Sequence, residues 1–343
     1  MSDNDTKAKG LECAVCHGGF LKHWESRDAK SGDGLPLGFC SQCGLVQQLE
    51  LPSDEALRVY YSHHYRQDYK STYAPKAKYV WRAGVTARDR LAFMQRAGLN
   101  PSGLRLLDVG AGGGEFCYVA AQAGFASQGI EPNEGYSDFA RKAYDVDIRT
   151  CNLDDVGGDR FDVITLFHVF EHLAHPERSL EKLWTMLADG GRLVIEVPNI
   201  EQADASPHNI YFKAHLFYYS RHSLIAAASR FFEVAYVEDT GNLSVCFTKR
   251  VAPLPCKEMP SEADVQATLK RLTDKGWLEY LFVGGGVYKP FKRVAKAVRE
   301  ARMKRMAPRE ILDNAIDKVD RNDRLVANVV MGALAIAALE ACT

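Results

Sequence analysis

LLDVGAGGGEF, residues 106 to 116, is an apolar run that breaks into glycines at Gly110, Gly112, Gly113 and Gly114. The pattern predicts a buried strand ending in a turn where backbone approaches something closely. Glycine removes the Cβ that would obstruct that approach and tolerates positive φ. Asp108 stands at the strand's tip. A second apolar segment, Phe125 to Ile130, closes on Glu131 in the run GIEPN. An acidic residue at the end of the second strand is where a doubly wound sheet holds ribose hydroxyls.

The stretch RFDVITLFHVFEHLAHPERSLEKLWTMLADGGRLVIEVPN follows. Together these segments resemble, in order and spacing, the motifs of the class I S-adenosylmethionine (AdoMet)-dependent methyltransferases. The resemblance covers roughly Tyr79 to Arg250, about half the chain. It implies an α/β fold, a doubly wound, mainly parallel, seven-stranded Rossmann-like sheet. It also implies cofactor contacts from Asp108, Gly110, Gly112, Gly114, Glu131 and His168, with Asn152 and Leu153 beside the adenine. A nicotinamide-binding Rossmann domain is the alternative for this half. Asp108 argues against it, because a carboxylate suits a cationic sulfonium better than a pyrophosphate, which binds at helix N-terminal amides.

The 343 residues suffice for two or three small domains, and 46% hydrophobic residues allow a sizeable core. With 43 Lys and Arg against 44 Asp and Glu, the whole chain has no field that would recruit nucleic acid or a membrane. The N-terminal MSDNDTKAKG has no apolar core of a secretory signal, so a cytoplasmic location is expected. Four of the nine cysteines stand as Cys13-x-x-Cys16 and Cys40-x-x-Cys43. Two such turns aim four thiolates at one point, a tetrahedral set suited to structural Zn²⁺. Glycines 18, 19 and 44 lie just after the pairs, where such turns need them. Chance pairs of buried thiols are the bland reading, and a redox C-x-x-C lacks its βα context here.

Residues 1–55 thus read as a zinc-binding module and 56–78 as a connector, whose Tyr60 to Tyr73 holds five tyrosines and His63-His64. Such a stretch suits a domain interface or a sugar-binding surface. The AdoMet domain spans 79–250, entered by a helix from about Lys76 to Ala97. Its fourth strand is Phe161 to Phe167, its fifth Arg192 to Val197, and an antiparallel pair, Phe232 to Glu238 and Leu243 to Thr248, closes the sheet. A proline-rich linker covers 251–262, and a helical extension 263–343. In that extension Phe291 to Met306 carries seven basic residues and one acid. The apolar Leu325 to Leu339 is too short to span a bilayer. The bland reading is a helix buried on the domain or a second subunit; the other is rest on an anionic membrane surface.

Methyl transfer needs alignment and, for a hydroxyl, a base. Catalytic candidates are His215, His172 and Glu171, with His168 and His208 nearby in sequence or on the following loop. The setting KAHLFYYS around His215 resembles the H-x-x-x-F/Y-S segment that many of these methyltransferases place over the substrate. The cysteine module, tyrosine-rich connector and AdoMet half together resemble nucleotide-sugar C-methyltransferases and other bacterial envelope-sugar methyltransferases. The Tyr-x-Glu-His run of the C-methyltransferases is replaced by Phe212, Lys213 and Ala214 before His215, and no second Rossmann-like domain follows. Methylation of a sugar hydroxyl, with His215 as base, is therefore the expected reaction.

H-x-x-E-H with a later histidine also resembles small-RNA 2′-O-methyltransferases, which bind a divalent metal beside the ribose hydroxyl. RNA methylation is the main alternative, although Leu11 to Leu51 holds more acids than basic residues. A non-catalytic AdoMet-fold scaffold is the other. Expected partners are a small-molecule or glycan acceptor rather than nucleic acid, a peripheral membrane contact through the C-terminal helices, and a second copy in a homodimer.

Overall fold

The structure, a computed structural model, describes residues 12–60 and 75–289, then 293, 296, 297, 300, 301, 303 and 305–316. The tyrosine-rich stretch beyond Tyr60, most of the basic run and the apolar 325–339 segment lie outside the described residues.

The chain opens with β1 (Phe20–Arg27), β2 (Gly34–Cys40), β3 (Val46–Gln48) and a short helix α1 (Asp54–Val59). Then α2 (Ala77–Arg96) leads into β4 (Arg105–Val109), the strand of the glycine-rich motif. It is followed by α3 (Glu115–Ala123), β5 (Ala126–Ile130), α4 (Glu134–Tyr144) and β6 (Asp147–Arg149). Next come β7 (Phe161–Phe167), α5 (Pro176–Met186), β8 (Leu187–Val197) and the two-residue β9 (Phe217–Tyr218). After α6 (Arg221–Ala228), the pair β10 (Phe232–Glu238) and β11 (Leu243–Lys249) is succeeded by α7 (Glu262–Asp274) and α8 (Trp277–Phe282).

Seven strands form one sheet in the order β10-β11-β8-β7-β4-β5-β6. Strands β8, β7, β4, β5 and β6 run parallel, and β11 and β10 close the edge antiparallel. Alternation along each strand sends residues to opposite faces, and both faces are buried. Leu107, Ile164, Leu193 and Val245 belong to one core; Leu106, Val163, Val194 and Cys246 belong to the other, under α2 and α3. The fifth strand begins five residues earlier than the sequence reading, at Leu187, with an irregular register between Phe161 and Val163 opposite it.

Strands β1, β2, β3 and β9 form a second, antiparallel sheet. The N-terminal cysteine module therefore takes its fourth strand from inside the AdoMet segment, where β9 pairs with β3. Its apolar interior is continuous with the large core: Cys13, Cys40, Cys43 and Leu45 share a cluster with Phe170, Leu216, Phe217 and Tyr219. At the other end, Met303, Ile311 and Leu312 pack on Val80, Tyr118 and Tyr144, and Glu300 forms a paired ion contact with Arg82. The C-terminal extension thus covers part of the domain's helical layer. Among the described residues no helix is long and apolar enough to cross a membrane.

Candidate active site

A cavity of about 760 Å³ opens at the C-terminal edge of the parallel strands, where doubly wound sheets bind ligands. Its walls include Gly110, Gly112, Glu131, Asn152, Leu153 and His168. Gly112 holds φ 60 and donates its amide to Glu131 Oε2 at 2.9 Å, while Asn133 N–H donates to Oε1 at 3.1 Å. These two bonds fix the carboxylate on the cavity wall. Asn152 N–H is held by Asp155 Oδ2 at 3.0 Å, which sets the turn that presents Leu153.

Two expected cofactor residues stand back from the cavity. Asp108 lies beneath the loop, 3% exposed, and accepts a hydrogen bond from Thr165 Oγ1 at 2.7 Å. Burial raises its carboxyl to about 7. Gly114 caps α3 at φ 80, and a Cβ there would stand 2.6 Å from the Ala140 side chain. It is a packing glycine, needed where α3 meets α4.

The far end of the cavity is built by the turn after β7. His168 holds φ 56, with Nδ1 3.4 Å from Glu171 Oε1 and Nε2 3.3 Å from Glu196 Oε1. Burial alone would lower this histidine; the two carboxylates outweigh it and raise it to about 9. Asn242 Nδ2 also lies 3.0 Å from Nε2. Glu196, at the end of β8, is anchored by Arg90 at 2.6 Å, whose guanidinium stacks over Phe167 at 4.2 Å. Against its burial, His168 and Arg90 hold Glu196 down at about 2. The two carboxylates thus favour the protonated form of His168, whose Nε2–H would take the Asn242 amide by its oxygen rather than its nitrogen.

His172 lines the cavity, whereas Glu171 and His215 do not and stand behind it. One ligand atom each of Glu171, His172 and His215 lies within 4.8 Å of the others. The rings of His172 and His215 meet edge to face at 5.0 Å, and His172 Nδ1 lies 2.7 Å from Ala214 O. Burial and the neighbouring His172 push His215 down to about 3, so the ring is neutral at any ordinary pH. Glu171 is 1% exposed, and neither of its oxygens has a hydrogen bond among the described residues. Its burial opposes ionisation, but the surrounding imidazoles, His168 first, hold it at about 2. His208 is not part of this group; its ring packs on Trp277.

In the cysteine module the four Sγ atoms lie within 4.8 Å of one another. None is in a disulfide. Cys40 Sγ accepts from the amides of Gln42 and Cys43 at 3.4 and 3.5 Å, contacts that favour a thiolate. The donor set fits a tetrahedral metal such as Zn²⁺. The left-handed residues of the two turns are His17 and Gly44, so Gly18 and Gly19 do not supply the first turn's conformation as the sequence suggested.

Sequence reasoning missed Arg90, Glu196 and Asn242, and also Asp54, Leu57 and Arg58 of α1, which reach the cavity wall. His175 Nε2 ties α1 in through Asp54 at 2.9 Å. The alternation of β8 marks Glu196 as a polar residue in a buried strand, which was the one available signal.

Residues 78–231 match a family model described as a methyltransferase domain. Ubiquinone biosynthesis O-methyltransferase of Caulobacter sp. (strain K31) is 30% identical over 105 residues, 28% of this chain and 42% of that protein. The mitochondrial protein of the same description from Mus musculus is 30% identical over 112 residues, 29% of this chain and 30% of its own. The chain thus spans less than half the length of these relatives. Magnesium protoporphyrin IX methyltransferase from Synechocystis PCC 6803, solved with bound S-adenosylhomocysteine (SAH), is 15% identical at a TM-score of 0.46, covering 58% of this chain and 100% of that one. The strand order with its antiparallel edge, the glycine loop facing Glu131 and the family match agree: residues 78–231 match a methyltransferase domain and carry the class I, Rossmann-like methyltransferase fold.

Proposed function

We propose that the protein methylates a hydroxyl oxygen, with the acceptor entering the cavity against His172 and the Glu171–His215 pair behind it. The observation that carries this reading is the convergence of Glu171, His172 and His215, of which His172 lines the cavity that Glu131 also lines. In the transfer, the acceptor oxygen forms a bond to the methyl carbon as the carbon–sulfur bond breaks. The cofactor leaves as a neutral thioether, and one proton must be taken from the hydroxyl. The site's tasks are alignment and that proton. His215 is neutral, but the burial that keeps it so also makes it a weak base, and it reaches the acceptor only through His172, which lines the cavity. Glu171 stabilises the imidazolium that results.

Glu171 favours a second reading of the same cluster. Its Oε1 has the His168 ring 3.4 Å away, but Oε2 is buried without a hydrogen bond among the described residues, which is costly. A divalent cation held by Glu171, His172 and His215 would satisfy it, and imidazole and carboxylate donors suit Zn²⁺, Fe²⁺ or Mn²⁺. When bound, such an ion lowers the pKa of a hydroxyl beside it. Metal content separates the two readings: the metal-assisted site holds an ion in addition to the one on the cysteines, and Glu171→Gln should lose that second ion alone.

Relatives described as O-methyltransferases of ubiquinone biosynthesis support oxygen as the nucleophile. For the acceptor we propose a sugar hydroxyl on a nucleotide-sugar or envelope glycan, from the two-part architecture; a ubiquinone precursor is the competing class. In this proposal Cys13, Cys16, Cys40 and Cys43 hold one structural Zn²⁺. The exposed Leu278, Phe282, Val283 and Tyr288 form the surface for a peripheral membrane contact. The test is calorimetry with SAH, then transfer of labelled methyl from AdoMet to a panel of both acceptor classes. Wild-type protein that binds no SAH would sink the reading.

A further inference from the structure

His215 sits on a segment whose hold comes from the cysteine module. Gln48 of β3 is 4% exposed, and its Nε2 donates to the carbonyls of Lys213 and His215 at 2.9 and 2.6 Å. Gln48 N–H donates to Leu216 O at 3.0 Å, and Leu216 N–H in turn donates to Glu171 O at 3.0 Å. Asp28, 5% exposed, accepts from Lys213 N–H at 2.6 Å, and Ala29 N–H donates to Tyr211 O at 2.8 Å. Residues 211–216 are therefore fixed from one side by the module and from the other by the turn that carries Glu171 and His172.

The neighbouring residue reaches the other way. Successive strand residues point to opposite faces. Gln47 Oε1 accepts from Ala14 N–H at 2.9 Å, inside the first cysteine turn, and its Nε2 donates to Glu12 O at 3.4 Å. A path of hydrogen bonds joined by the Gln47–Gln48 peptide thus runs from the Cys13–Cys16 turn to the backbone of His215. These bonds from the module fall on residues 211–216, at the acceptor end.

We infer that Gln48 is a positioning residue for His215, and that the metal-binding cysteine module, acting through Gln47 and Gln48, sets the geometry of the acceptor end while leaving the AdoMet end independent. This rests on the proposal above that His215 serves the acceptor end from behind His172. Buried amide donors with two carbonyl partners are strongly directional, since losing the donor leaves both acceptors unsatisfied. Replacement by glutamate keeps the shape and sets a carboxylate against those carbonyls.

The test uses the full chain with ¹³C-labelled histidine. The His215 ring signal is identified by its absence from the spectrum of His215→Gln, and SAH affinity is measured by calorimetry in parallel. Gln48→Glu should shift or broaden the His215 and His172 signals while SAH affinity stays within about twofold, as for sites that share no partner. Stripping the cysteine-bound metal with a thiol-directed reagent and chelator should do the same. Gln48→Ala gives a second variant should the glutamate prevent folding. A His215 signal that superimposes on wild type in both variants overturns the inference, as does metal removal that abolishes SAH binding together with the His215 change. Failure of the function reading is a separate result: His215→Ala would keep its turnover, with the Gln48 spectra unaffected.

Discussion

His168 keeps its proton because Glu171 and Glu196 flank it, and the consequence for stability has a definite sign. Its folded value of about 9 lies above that of an unfolded histidine, about 6.5. Its contribution is therefore complete below about pH 6.5 and lost as pH rises through about 9. In the presence of chelator, the melting-temperature gap between wild type and His168→Gln should be widest near pH 6 and shrink steadily on the alkaline side. A gap that does not change with pH would contradict the imidazolium. His215 behaves in the opposite sense. A base loses activity below its effective pKa; burial puts that of His215 at about 3, so no acid limb from this residue should appear near pH 6.5. If it is the base, His215→Ala should lower labelled-methyl transfer by roughly 10²–10⁴, with SAH affinity nearly unchanged.

At the scale of elements, the two ends of the glycine loop separate by their neighbours. Gly112 lines the cavity and bonds Glu131, so Gly112→Val should weaken SAH binding by at least about tenfold while the fold persists, the cost of blocking a close approach. Gly114 faces Ala140, so Gly114→Val should destabilise by about 1–3 kcal/mol through overpacking, read as a lower denaturation midpoint. Metal analysis of wild type should find about one zinc per chain, and the Cys13→Ser/Cys40→Ser double variant should retain none, as expected of a closed thiolate site. The parallel strands were legible because each is a local apolar run bounded by turn residues; β7 falls on the residues its pattern marked, Phe161 to Phe167. The cysteine set was legible from spacing. The acceptor end was only partly so: Glu171, His172 and His215 were identified, but of Arg90, Glu196 and Asn242 only Glu196 left a local signal, as a polar residue in a buried strand, and the others approach it from far away in sequence. Strand β9, at two residues, is too short for any pattern, and Gln48 reads locally as an ordinary strand residue.

At the scale of the whole molecule, residues from the chain's two ends close on the same domain. Leu312 is fully buried, and a Cβ on Gly84 would stand 2.8 Å from it. Leu312→Ala should cost about 2–5 kcal/mol and lower a single unfolding transition that SAH raises; separate melting of the C-terminal segment would show that it is not part of the domain. The pairing of β3 with β9 bears on how the chain is made. Residues 46–48 leave the ribosome long before residues 217–218, so the cysteine module must wait with one strand edge unpaired while the parallel sheet between them is synthesised. Open edges invite association with other chains, and pairings this distant in sequence form slowly. Early capture of metal by the cysteines would hold that nascent edge in a fixed register, so zinc supply during synthesis should govern the yield of well-folded protein more than zinc supplied afterwards.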